Sequence, residues 1–179
     1  FTTRAGWAKE PAPDAEARAD AAIKRLAGML TRDTSPQGTP LVRVLLGNPR
    51  LADADLELLK DLPVVHVLVI GKSEVTDAGL AHLKGLTSLQ CLYVGGNAIG
   101  DGGLAHLKGL SHLQTLDLSA TQVTDAGLAH VAGLDALTEL GLAKTRVSNA
   151  GLTRLKRLTR LETLRLTGTR VTSAGLVHL

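Results

Sequence analysis

Along most of the chain, apolar residues fall in fixed columns. Leu89, Leu92, Val94 and Ile99 recur as Leu113, Leu116, Leu118 and Val123, then as Leu137, Leu140, Leu142 and Val147, and again as Leu161, Leu164, Leu166 and Val171. Upstream the same columns hold Val65, Leu68, Ile70 and Val75, preceded by Leu41, Val44, Leu46 and Leu51. Self-similarity at one fixed period of 24 residues marks a solenoid. Within each unit the alternation L-x-L predicts a short strand, and the stretch that follows puts Leu80, Leu83 and Leu86 at helical spacing. Repetition of strand and helix predicts a parallel sheet with right-handed crossovers. Parallel strands stack about 4.8 Å apart, whereas packed helices need about 8–10 Å. The strands therefore line the inside of a curve and the helices its outside.

Polar and glycine columns keep the same register. Gly79, Gly103, Gly127, Gly151 and Gly175 open the helical segments and are expected to let adjacent coils approach closely. Asp77, Asp101, Asp125 and Asn149 stand just before them as candidate N-caps. Gly85, Gly109 and Gly133 suit the left-handed position after a last turn, a rule from which Asp61 and Arg157 depart. Around the glycines the chain reads VTDAGLAHL, IGDGGLAHL, VTDAGLAHV, VSNAGLTRL and VTSAGLVHL, with a weaker copy, LADADLELL, from Leu51. This pattern resembles the leucine-rich repeat family, in the 24-residue bacterial form carrying V-T-D-A-G-L, from Leu41 to Leu179. The resemblance implies an α/β horseshoe solenoid. The family's usual Asn after the strand survives only at Asn97. Thr121, Thr145 and Thr169 replace it, and a Thr ladder is expected there, less completely hydrogen-bonded than an Asn one.

The ends depart from the repeat, dividing the chain into an N-terminal extension over residues 1–40 and six repeats over 41–179, the last incomplete. Asp14–Thr31 reads as a helix with an apolar stripe of Ala19, Ile23, Leu26, Ala27 and Leu30, followed by a connector to Pro40. A first coil has nothing to stack on, so this helix is assigned as its cap, helped by Phe1 and Trp7; the alternative is a partner-binding amphipathic helix. At the other end Leu179 falls inside a predicted helix with no cap after it, which reads as a fragment or an array extended by further repeats, with self-association through that edge possible.

Composition narrows the function. Apolar residues make up 44%, with one Phe, one Trp and one Tyr, as suits a core of identical aliphatic layers. A formal charge of +3 does not by itself indicate nucleic acid, and no apolar run is long enough to span a membrane. The basic residues near the end, among them Arg154, Arg157 and Arg165, are divided between outer and inner faces. His82, His106, His130 and His178 form a column on the outer helices, too widely spaced to share one zinc ion. Asp53 and its column read as caps and not as a calcium site. The single cysteine, Cys91, excludes an intramolecular disulfide, and strand parity puts the nearest histidine, His66, on the other face. No catalytic residue, metal or cofactor is assigned.

The positions between the core leucines of each strand point into the concave face. Down the array they are Arg43 and Leu45, Val67 and Val69, Cys91 and Tyr93, Thr115 and Asp117, Glu139 and Gly141, Thr163 and Arg165. The first three pairs offer an apolar zone and the last three a polar one, the juxtaposition on which protein interfaces are commonly built. The expected partner-binding set is Val67, Val69, Cys91, Tyr93, Thr115, Asp117, Glu139 and Arg165. The function expected is a non-catalytic protein-binding module. The alternative is a structural or assembly segment of a longer bacterial protein that contacts partners through its C-terminal edge.

Overall fold

The computed structural model describes residues 13–34, 38, 40–62 and 64–179; Phe1 and Trp7 lie outside them. A helix, α1 (Pro13–Arg25), leads into a seven-stranded sheet in sequence order: β1 (Gly28–Thr34), β2 (Pro40–Leu46), β3 (Val67–Ile70), β4 (Cys91–Tyr93), β5 (Thr115–Asp117), β6 (Glu139–Gly141) and β7 (Thr163–Arg165). From β2 onward every pair is parallel and in register by repeat, so Leu68, Leu92, Leu116, Leu140 and Leu164 lie side by side. Short helical turns run along the other side of the sheet. They are α2 (Asp77–Leu80), α3 (Asp101–Leu104), α4 (Leu128–Val131) and α5 (Asn149–Leu152), with 3-10 segments continuing most of them. Parallel strands with helical crossovers, repeated at 24 residues, make a leucine-rich solenoid.

The core lies between these two layers as stacked aliphatic rings. Leu80, Leu83, Leu89, Leu92, Val94 and Ile99 of one coil are all fully buried, and the equivalent residues of the next coils lie on top of them. Removing such a leucine from water contributes about 1.5–3 kcal/mol. Leu161, Leu164, Leu166 and Val171 of the last coil are only partly buried against the same core.

The aspartate column acts between coils. Asp53 accepts the backbone N–H of Thr76 at 2.7 Å and its hydroxyl at 2.6 Å, one coil further on. Asp101 holds Thr124 in the same way at 2.8 and 2.6 Å, and Asp125 holds Ser148 at 2.7 and 2.6 Å. Asp77 meets Gly100, which has no hydroxyl, and accepts only its N–H, at 2.6 Å. The expected role of these aspartates as N-caps is thus corrected. The caps are Thr76 and Ser148, whose hydroxyls accept the N–H groups of Ala78 and Ala150, while Asp77 and Asn149 are the first residues of their helices. The cause is geometric: a carboxylate at the start of one turn reaches the cap of the next coil, where it also orients the hydroxyl, since the hydroxyl donates to the aspartate and accepts from its own helix.

The glycine column follows from the same contact. A Cβ at Gly103 would stand 2.7 Å from Oδ1 of Asp77, and one at Gly79 2.5 Å from Oδ1 of Asp53. At Gly127, Gly151 and Gly175 the obstructing atom is Oδ1 of Asp101, Asp125 and Asn149. Each glycine makes room for the clamp of the preceding coil.

Three further expectations need correction. Gly85, Gly109 and Gly133 do not take the left-handed conformation and have open space around their Cα hydrogens. The helical segments close instead with 3-10 hydrogen bonds such as Leu86 N–H to Leu83 O at 3.0 Å. Left-handed residues occur in the turns after β4, β5, β6 and β7, at Gly96 (φ 80°), Ala120 (56°), Lys144 (57°) and Gly168 (73°). The predicted helix to Thr31 ends at Arg25. Ala27, at φ 51°, reverses the chain, and residues expected to form the last helical turn and a connector form β1, antiparallel to β2. Gly28 permits this, because a Cβ there would lie 2.9 Å from the Leu45 carbonyl and 2.7 Å from Leu46 Cδ2. Ile23 and Leu26 remain in the core, and Arg32 of β1 pairs with Asp20 of α1 at 3.0 Å.

After the strands, Asn97 bonds in several directions. It donates to Val94 O at 2.9 Å and Ile70 O at 3.3 Å, and it accepts from the N–H and hydroxyl of Ser73 at 2.9 and 2.8 Å. Thr121, Thr145 and Thr169 each donate once, to a carbonyl of their own coil, at 2.6–2.7 Å. The threonines are less completely bonded because a hydroxyl is too short to cross to the neighbouring coil.

Candidate binding face

With one face of the sheet packed on the core, the other is open. Strand pairing arranges its outward residues in two rows. The first runs Met29, Leu45, Val69, Tyr93, Asp117, Gly141 and Arg165. The second runs Thr31, Arg43, Val67, Cys91, Thr115, Glu139 and Thr163. All eight expected residues lie in these rows, because the register follows the repeat.

The rows divide chemically. Met29 and Leu45 are 61% and 39% exposed, and with half-buried Val67, Val69 and Tyr93 they form an apolar zone over β1–β4. Met29 and Thr31 extend the rows beyond those expected from the sequence, which places the start of β1 in a helix. The available signal was Gly28, a helix-stop residue inside the apolar stripe. Arg43 is tied to Asp33 of β1 at 2.9 Å, which anchors the edge of this zone.

Over β5–β7 the face is polar and indented. Gly141 has no side chain to fill its place in the row, and a shallow hollow of about 60 Å³ forms there. Tyr93, Thr115, Asp117, Glu139 and Arg165 line it together with Thr163. The hollow thus gathers five of the eight expected residues and leaves Val67, Val69 and Cys91 to the apolar zone. Asp117 leans toward the vacant position, where a Cβ on Gly141 would collide with its Oδ1; the same oxygen accepts the Ser119 N–H at 2.9 Å. Burial raises the Tyr93 hydroxyl above its usual value, and the neighbouring Cys91, Glu139 and Asp117 add to the rise, so the phenol stays protonated. Burial likewise raises the Cys91 thiol.

The ring of His66 faces away from Cys91. Its Nδ1 accepts the Val42 N–H at 3.0 Å, and burial lowers its basicity. Among the described residues no group of three His, Cys, Asp or Glu side chains is placed to hold a metal ion.

The profile of the family described as leucine-rich repeat matches residues 85–107 and 109–132, the two coils around β4 and β5. Over these two coils the chain matches the leucine-rich-repeat family. Solved leucine-rich-repeat structures share the architecture. Internalin C2 of Listeria monocytogenes superposes with a TM-score of 0.54 at 18% identity, over 92% of this chain and 88% of that one. The leucine-rich-repeat ectodomain of the receptor kinase SOBIR1 from Arabidopsis thaliana gives 0.55 at 16% identity, over 88% and 94%. A second Listeria monocytogenes internalin gives 0.49 at 23% identity, and there this chain spans 41% of the other's length. At such identities the likeness is one of fold. No curated relative matches by sequence. No helix among the described residues is long and apolar enough to cross a membrane.

Proposed function

We propose that this leucine-rich-repeat chain is a non-catalytic protein-binding module that engages its partner on the open, concave face of the sheet. Leucine-rich-repeat solenoids commonly mediate protein–protein interaction, and their curvature creates an extended binding surface. One observation carries the reading for this chain. Buried columns repeat from coil to coil, whereas the two open-face rows change at nearly every step, from Met29 and Leu45 through Tyr93 to Asp117, Gly141 and Arg165. A row under no stacking constraint is free to carry specificity, and this one sets an apolar zone beside a polar hollow.

The test is affinity capture from a source lysate with three forms of the chain. The wild type and an outer-face control, Arg154→Glu with Arg157→Glu, should retain the same partners. The double variant Tyr93→Ala, Val69→Asp should lose them at an unchanged melting temperature. Full retention by the double variant would sink the concave-face reading.

A second reading, assembly through the last coil, is supported by the exposure of Leu176 (51%), Val177 (79%) and Leu179 (61%) beside a hollow of about 440 Å³ lined by Leu155, Leu158, Leu161 and Leu164. Sedimentation showing a monomer at high concentration would remove self-association from it.

A further inference from the structure

We propose that the hollow at Gly141 is a site for a lysine or arginine side chain of the partner, carried on an extended segment whose apolar residue rests on Leu45 and Val69. The proposal rests on the open-face reading above and adds the partner's chemistry to it.

Charge and shape point the same way. Asp117 stands on the strand before Gly141, Arg165 on the strand after it and Glu139 on the strand of Gly141 itself, so the rim carries two carboxylates against one guanidinium. Among the described residues none of the three makes an ion pair. The two carboxylates therefore keep unused acceptor positions, which suit charge-assisted bonds from an ammonium or guanidinium group. Tyr93 supplies an aromatic ring at the same hollow, and its hydroxyl, held protonated, adds no negative charge of its own. Glycine at 141 makes the depth. The residues on either side of it in the row, Asp117 and Arg165, both carry side chains, and any side chain at 141 would meet Asp117 Oδ1 and, at 3.2 Å, Ser119 Oγ.

Spacing makes the proposal specific. Val69 lies three strands from Gly141 along one row, and Leu45 lies four. At about 4.8 Å per strand these separations are about 14 and 19 Å, which an extended chain rising about 3.3 Å per residue covers in about four to six residues. An apolar residue and a basic residue adjacent in the chain fall well short of this span.

The experiment uses fluorescein-labelled peptides of Ser and Thr that carry one Leu-Val pair and one Arg, separated by one to six positions, with Glu in place of Arg as the matched control. Binding is read by anisotropy. The expected result is a preference of at least about tenfold for Arg over Glu at separations of four to six, in line with a charge-assisted hydrogen bond, and little preference at one or two. Gly141→Leu fills the hollow and should bring the Arg-to-Glu ratio near one, while binding through the apolar pair, abolished by Val69→Asp, persists. The paired variant Asp117→Asn, Glu139→Gln keeps the shape and should also remove the preference, which covers the case of a Gly141→Leu chain that does not fold. A ratio near one in the wild type, a ratio unchanged in the paired variant, or no binding of any Arg peptide at millimolar concentration overturns the proposal. Survival of Val69-dependent binding alongside such a result would leave the open face standing as a binding surface.

Discussion

At the scale of single residues, the link between coils is a matched pair: an acid and, two positions into the next coil's helix, a glycine. The two should be energetically coupled. Gly127→Ala places a methyl against Asp101 Oδ1, and Asp101→Ala removes both bonds to Thr124. Each alone should destabilise by about 1–3 kcal/mol. In the double variant the added methyl occupies the space the carboxylate vacated, so the combined loss should fall short of the sum by at least about 1 kcal/mol in urea titrations. Strict additivity would contradict the shared contact. The last pair shows the chemistry by contrast. Asn149 accepts the Thr172 N–H through Oδ1 and donates to the Thr172 hydroxyl through Nδ2, at 2.9 Å each, and there the hydroxyl makes no cap bond to its own helix. A second residue-scale expectation concerns Ala120, which holds a left-handed conformation that costs a non-glycine residue about 1–2 kcal/mol. Ala120→Gly should raise stability modestly, by up to about 1 kcal/mol, because glycine's larger unfolded-state entropy offsets part of the relief. A lower melting temperature would argue against strain at this turn.

At the scale of elements, the N-terminal edge of the sheet carries a pH dependence. His66 accepts the Val42 N–H where β2 meets the chain entering β3, and burial holds its basicity below the ordinary value near 6.5. Because the folded state binds this proton less readily than the unfolded state, the contribution is complete above about pH 6.5 and is lost as the pH falls through the lowered folded value. Protonation also leaves Val42 N–H without its acceptor. Thermal scans from pH 7.5 to 5 should show a downward slope that flattens in His66→Asn. An equal slope in both chains would place the acid sensitivity elsewhere. The same edge depends on the seam between α1 and the sheet. Ile23 is fully buried there, and Ile23→Ala should cost about 2–4 kcal/mol while leaving the central strands paired.

At the scale of the whole molecule, each coil touches only its neighbours, so stability is close to a sum of coil and interface terms. In the inner coils the stacked leucines are fully buried, whereas Leu161, Leu164, Leu166 and Val171 of the β7 coil are only partly buried. Hydrogen exchange should therefore be slowest in β4–β6 around Leu92, Leu116 and Leu140 and faster in β7. Uniform protection from β3 to β7 would mean that the array opens as one unit. The same arrangement decouples surface from core. The open-face rows can change without disturbing the stacked leucines, which is why the substitutions at Val69, Tyr93 and Gly141 are informative about binding.

The 24-residue columns by themselves determined the solenoid, the sheet register and which residues share the open face, because one repeat in the chain becomes one step in space. They could not show what bridges one coil to the next. Asp77 before a helix looks like a cap in sequence, and only stacking brings its carboxylate to Gly100 in the next coil, leaving the capping to Thr76. Gly85 and Gly96 look alike in sequence, yet only the second takes a positive φ, because the turn after the strand must reverse tightly while the helical segment closes with 3-10 bonds. Leu30 continues a helical stripe, and it is the close approach of Gly28 to β2 that makes this segment a strand instead. The hollow at Gly141 belongs to the same class. A missing side chain becomes a cavity only when the neighbouring strands place Asp117 on one side of it and Arg165 on the other. Contacts within a repeat are written in its spacing, whereas contacts between repeats depend on how far one coil sits from the next, a distance that exists only once the chain has folded.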